Sequence, residues 1–322
     1  PLTNGGYVYG NVKTERYIPG GYRKFRFLGH PFAYPMNINE WTDDIDITGA
    51  ITGTNANNFT ASGTNNPSAF TFTEANGNGA SNDAGWTAAS SSSIASKLGL
   101  ADGIRILIRG SKNQAGSLTG GTYTPNPVTL NMKGILQQGD FTKSLAYSGA
   151  TKGWNLLGNP YPSNIDWNTA TKTNVNDAVY TYRPSLNGGT YASYINGSST
   201  NGGSNILESH VGFFVRTNAN AASITFHEND KVATAQPNTM FRNSNNQNQI
   251  HSKLKLRLVA DSLQYTDEII VRFGVDKATD GFDEQFDAYN LAGNAHDLYV
   301  LDAKENKYSI YHGAELKPWQ DE

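Results

Sequence analysis

The stretch Trp154-Asn155-Leu156-Leu157-Gly158-Asn159-Pro160, followed by Asn164-Ile165-Asp166-Trp167, decides how this chain is read, because an earlier stretch has the same form. Phe25-Arg26-Phe27-Leu28-Gly29-His30-Pro31 precedes Asn37-Ile38-Asn39-Glu40-Trp41 in the same way. Each core has the character of a strand terminator: an apolar run ends, glycine accepts backbone geometry that a Cβ would forbid, and proline stops further pairing. Farther on, Gly103-Ile104-Arg105-Ile106-Leu107-Ile108-Arg109 is echoed by Gly212-Phe213-Phe214-Val215-Arg216. Two related halves follow from these echoes, about 16–134 and 135–232.

Short alternating or β-branched runs fill both halves, at residues 7–12, 24–28, 103–109, 128–132, 154–157, 178–182, 212–216 and 223–227. Residues 91–98 form the one good helical candidate before residue 240, with a weaker turn near 167–171. The expected fold class is therefore all-β: a β-sandwich, jelly-roll-like, built from two related halves over residues 1–233. Residues 234–249 read as a polar Asn/Gln-rich linker. After it Lys253-Leu254-Lys255-Leu256-Arg257-Leu258-Val259 alternates cleanly, as a half-buried strand does, and opens a smaller second β-sandwich domain over 250–322. Strands are expected again at 267–273, 297–301 and 308–311, too few to complete a sandwich. Long polar loops at 53–66, 76–93, 110–122 and 187–205 are where a binding surface is expected.

The 322 residues suffice for about two domains. Charged residues make up only 16% of the chain, below the roughly 25% of ordinary globular domains, so solubility rests on Asn, Thr, Ser and backbone amides. With 25 basic against 28 acidic side chains there is no field to attract a polyanion, which argues against nucleic acid and anionic membrane as partners. No apolar stretch approaches the roughly 20 residues of a membrane-spanning helix. The absence of cysteine removes disulfides, thiolate metal sites and thiol nucleophiles. Beginning at Pro1, the chain is expected to carry a processed N-terminus.

The run Gly153 to Trp167, with Gly158-Asn159-Pro160-Tyr161-Pro162 at its centre, resembles the region found just before the sorting domain of large secreted Bacteroidota proteins. Val211-Gly212-Phe213-Phe214-Val215, Ile224-Thr225-Phe226 and the opening Thr14-Glu15-Arg16-Tyr17-Ile18-Pro19 are similar to the same region. Asp267-Glu268-Ile269-Ile270-Val271-Arg272-Phe273 and the aspartate-rich Gly281 to Tyr289 resemble the domain that follows it. The resemblance implies export by the type IX secretion machinery to the outer cell surface, in adhesins, matrix proteins or fibres, and carries no shared enzymatic activity. The sorting domain that it would place next does not follow; the expectation is that export removed it or that it lies outside this fragment.

Side-chain chemistry offers few alternatives. No Gly-x-Ser-x-Gly elbow accompanies His30, His210, His227, His251, His296 or His312, which read as surface or turn histidines. In His30 and Asn159, which occupy matching places, a capping or turn hydrogen bond is expected. Asp43, Asp44 and Asp46, and Asp276, Asp280 and Asp283 with Glu284, are oxygen-rich loop clusters and the candidates for calcium; solvated turn carboxylates are the competing reading. Trp41 and Trp167 read as core anchors. Tyr180, Tyr182, Tyr191 and Tyr194 are candidates for a flat sugar-stacking face or a subunit contact, against cross-strand packing as the plainer role. Ser262, in Asp261-Ser262-Leu263, resembles the O-glycosylation acceptor of exported Bacteroidota proteins.

The function expected is a non-enzymatic secreted structural or adhesive protein of the cell surface, a self-assembling subunit of a fibre or sheath. A module binding carbohydrate or a host surface is the alternative. For assembly, residues 1–12 are the candidate donor strand to an incomplete neighbour.

Overall fold

The computed structural model describes residues 6–50, 58–79, 84–90, 97–119, 121–186, 188–233, 252–260, 265–275, 277–293 and 297–313. Among these the fold is all-β, with short 3-10 turns and no α-helix, and its several antiparallel sheets are consistent with a β-sandwich. The chain forms two compact units: Pro1–Val175 with Ile206–Ala235, and Asn176–Asn205 with Gln236–Glu322. The second unit thus takes residues 176–205, which the sequence reading assigned to the first domain. The linker at 234–249 lies outside the described residues.

In the first unit the repeated segments take the same local structure. Lys24–Leu28 pairs antiparallel with Ile104–Ile108, and Trp154–Gly158 with Gly212–Arg216. Even the register repeats, since Leu28 faces Ile104 as Leu157 faces Phe213. The residue after the motif glycine has one job in both copies. The Phe32 amide donates to His30 Nδ1 at 3.1 Å, as the Tyr161 amide donates to Asn159 Oδ1 at 2.9 Å. On the far side His30 Nε2 donates to the Leu98 carbonyl, as Asn159 Nδ2 donates to that of Leu207. An imidazole and a carboxamide both place an acceptor and a donor on opposite sides of a flat group, so one substitutes for the other.

The two copies meet at their glycines. Gly29 donates to the His210 carbonyl and Gly158 to that of Ala101, while bridges join Leu28 to Val211 and Asp102 to Leu157. A Cβ on Gly29 would fall 2.6 Å from the Gly158 Cα, and one on Gly158 would fall 2.8 Å from the Gly29 Cα. These glycines are required by close backbone approach, not by a special turn.

Beneath the first copy lies a core of Leu28, Trp41, Ile45, Leu98, Ile104, Ile106, Leu130 and neighbours. Trp41 and Trp167 are fully buried, the anchors expected of them. Ile104, Ile106 and Ile108 supply the inward side of one strand by simple alternation. The helix expected at 91–98 is not found: Lys97–Leu98 is a short strand on Met36–Asn37, and residues 91–96 lie outside the described residues. Residues 7–11 are not a strand either, because Gly10 takes φ +83° and pairing starts only at Val12.

The second unit holds the hairpin Val179–Arg183 with Thr190–Ile195, extended by Ser198–Ser199. Asn196 at φ +41° and Gly197 at φ +83° make the tight Asn-Gly connection that suits a twisted hairpin. Its larger sheet runs Ser252–Ala260, Tyr265–Phe273, Lys307–Gly313, Ala288–Tyr289, with Val300–Leu301 also on Lys307–Gly313. The pairing of Tyr265–Phe273 with Lys307–Gly313 is parallel and the others are antiparallel.

Candidate interaction surface

Among the described strands, Ser252–Ala260 pairs with Tyr265–Phe273 alone and leaves its other edge open. Alternation divides its side chains between two faces, each shared with the residue directly opposite. Leu254, Leu256 and Leu258 lie opposite Val271, Ile269 and Asp267; Lys253, Lys255 and Arg257 lie opposite Arg272, Ile270 and Glu268. The periodicity predicts that one face is covered, yet every side chain from Lys253 to Val259 is exposed. The leucines are 46%, 43% and 39% accessible and Val259 56%. β-Proteins ordinarily guard a long unpaired edge by charge, bulge or cover; here one row of the edge carries the cations Lys253, Lys255 and Arg257, and the other is an exposed row of leucines.

This strand is firmly anchored on its inner side. Glu268 is buried and receives Lys255 Nζ at 2.9 Å and Arg257 Nε at 2.8 Å, together with the Asn201 amide. Burial acts to raise the Glu268 carboxyl, and the hydrogen bonds from Lys255 and Arg257 outweigh it, holding the group below its ordinary value. Asp267, also buried, accepts from Asn201 Nδ2, the Glu268 amide and the Leu298 amide, tying three segments of the unit together. Lys253 is lowered by desolvation and by Arg272 and Lys255 beside it, the mark of a locally cationic face.

The calcium candidates do not converge. Asp44 accepts from the Asn131 amide and Asn131 Nδ2, Asp46 is buried against Lys112 and the Asn113 amide, and Asp43 is exposed. Asp283 spends its carboxylate on Thr279, Asp280 and Glu284 are exposed, and Asp276 lies outside the described residues. Among the described residues no three His, Asp or Glu side chains are placed to hold a metal ion. Of the four tyrosines, Tyr180, Tyr191 and Tyr194 are buried, and Tyr182 meets Tyr191 edge to face at 5.4 Å as a cross-strand pair, the plainer of the two roles considered. Ser262 lies outside the described residues, as do His251 and His296.

His30, His210 and His312 are buried, not at the surface; His30 makes the turn hydrogen bond expected of it and His210 lies in a turn. His312 lies beside the buried Asp287, whose carboxylate also accepts the His312 amide; His227, more open, pairs with Asp140. His210, held at φ +62° between Ser209 Oγ and Thr14 Oγ1, has its pKa lowered to about 4 by burial, then by Arg16 and His30. The unfolded chain takes up this proton below about pH 6.5 and the folded chain only near pH 4. Stability is therefore expected to fall by about 3 kcal/mol as pH drops through that window, with a denaturant midpoint that follows it. His210→Asn, which keeps the left-handed backbone, should flatten the profile; an unchanged profile would show that another group governs it.

Sequence reasoning also passed over Arg105. Its guanidinium sits 3.8 Å from the Trp86 ring centre and 4.7 Å from those of Phe25 and Phe70, clamping three strands on the face of their sheet opposite the Ile104, Ile106 and Ile108 row. The signal was present as a lone cation in the apolar run Ile104–Ile108, facing aromatic residues spaced two apart.

Fold and surface together define an all-β protein whose described strands include an open sheet edge with an exposed row of leucines. The profile of the family described as a domain of unknown function (DUF8693) matches residues 47–315, and the chain belongs to that family. A search of curated proteins returned no match, and a search of solved structures returned none. Among the described residues no helix is long and apolar enough to cross a membrane, which says nothing of a β-barrel.

Proposed function

We propose that this is a non-enzymatic secreted protein of the cell surface whose structural or adhesive work depends on association with further copies of itself. The observation that carries the reading is the open edge of Ser252–Ala260 with its exposed leucine row. Adding a strand to such an edge supplies backbone hydrogen bonds and covers apolar surface in one step. The buried Asp267, Glu268, Glu74, His30 and Asn159 support the non-enzymatic part, because each is bonded to backbone groups of other segments. The resemblance to exported Bacteroidota proteins supports the outer surface as the location and the type IX machinery as the route.

Light scattering on the purified chain over a concentration series, with negative-stain electron microscopy of the same samples, tests this. Oligomers that grow with concentration and appear as fibres or sheets are the expected result. A monodisperse monomer at several hundred micromolar would overturn it.

A further inference from the structure

The exposed large apolar side chains of the described residues concentrate in two short stretches of sequence. Leu254, Leu256, Leu258 and Val259 lie on the open edge; Tyr7, Val8 and Tyr9 lie near the N-terminus, accessible by 65%, 40% and 87%. The other five, Tyr17, Tyr22, Tyr34, Ile135 and Leu301, are scattered, no two within four residues of each other. The Tyr7 and Tyr9 rings lie 6.4 Å apart, close to the spacing of roughly 6.6 Å between alternate residues of a strand.

The Val8 peptide is held in an unusual way. Its N–H donates to Gln138 Oε1 at 2.7 Å and its carbonyl accepts from Gln138 Nε2 at 2.9 Å. A side-chain amide thus takes the place that the peptide group of a neighbouring strand would fill. Both bonds are exposed to solvent, and a ladder on another strand would replace them one for one.

Charge decides between the candidate occupants of the edge. Two edge strands paired about a twofold axis at Leu256 would set Lys255 of one opposite Arg257 of the other. Lys253 and Arg272 would add cations on the same face, against one buried acid, Glu268, on each side. Like charges directly opposite one another are disfavoured. The stretch Pro1 to Val12 has no charged side chain at all. Set along the edge with Tyr7 and Tyr9 over the leucines, it places Val8 among the aliphatic stems of the lysines.

Resting on the self-association reading, we infer that the segment Tyr7–Tyr9 of one copy leaves Gln138 and adds as a strand to the open edge of Ser252–Ala260 in the next copy, so that the chain assembles head to tail. Such a contact is heterologous and propagates into a filament or a ring.

The cysteine-free chain allows a direct test. Single variants Tyr9→Cys, Leu254→Cys, Leu256→Cys and Leu258→Cys are oxidised alone and in mixtures of the tyrosine variant with each leucine variant. Disulfide-linked dimers are mapped by mass spectrometry. Mixtures are expected to cross-link at least tenfold more than any variant alone. Cross-linking of Leu256→Cys with itself, or no excess in any mixture, overturns the inference. In parallel Tyr7→Asp/Tyr9→Asp, whose changes lie on exposed side chains, is expected to weaken association at least tenfold by light scattering. Association that survives this change overturns the donor segment and leaves self-association standing. A wild-type chain that never associates overturns both.

Discussion

Replacing Gly158 by alanine is expected to destabilise the first unit by about 3 kcal/mol, the upper range for forcing atoms into packed space, and to lower the melting temperature by roughly 6–12 °C. The added Cβ would lie 2.7 Å from the Asp102 carbonyl oxygen and 2.8 Å from the Gly29 Cα. Both neighbours are backbone, so no rotamer change relieves the overlap. Gly29→Ala should behave alike, since its Cβ meets the Gly158 Cα at 2.6 Å. Gly63→Ala is the control, having nothing within 4 Å of its Cβ, and should stay within about 0.5 kcal/mol of the wild type. Differential scanning calorimetry of the three variants checks the prediction. Equal melting temperatures for all three would mean that the repeated strands do not meet at these glycines.

The glycine pair also shows which parts of the architecture were legible beforehand. Leu-Gly-x-Pro occurs twice because a strand must end twice in the same manner, and the matched bonds of His30 and Asn159 explain how two different residues keep one place. Local rules sufficed for those turns and for the buried Trp41 and Trp167, but not for the glycines themselves, which are needed where the two copies approach and not for a backbone angle that a Cβ would forbid. Composition says nothing, however, about which distant segments a buried carboxylate or imidazole will gather. His210 reads as a turn residue and is enclosed by Thr14 and Ser209, the first of them far away in sequence. Asp44 and Asp46 read as one cluster, but Asp44 ends the turn at 42–44 and the bend at Ile45 separates the two carboxylates, which find different partners. Residues 176–205 moved to the second unit for a similar reason, with Asn201 bonded to Asp267 and Glu268 across a long sequence separation.

Alternation in 253–259 foretold the strand and its two faces correctly, but a period of two records only sidedness. Whether a layer lies over either face depends on the rest of the fold, and here the described residues leave every side chain from Lys253 to Val259 exposed. The same limit applies to Tyr7–Tyr9, where an alternating pattern met Gly10 at positive φ and a side-chain amide in place of a neighbouring strand.

That uncovered face leads to the other large effect. Changing Leu254, Leu256 and Leu258 together to threonine keeps strand propensity and the charged row while removing the apolar surface offered to a partner. Each leucine that passes from its present exposure into an interface contributes about 1 kcal/mol, so the triple variant should weaken self-association by about 3 kcal/mol, roughly a hundredfold in dissociation constant. Folding stability should change little, because these side chains are already open to solvent in the monomer. Sedimentation equilibrium reads the first quantity and denaturant unfolding at low protein concentration reads the second. Weakened association with an unchanged unfolding midpoint assigns the leucine row to contact between copies. A lowered midpoint with unchanged association would show instead that the row packs within its own unit, and the edge would lose its role in assembly.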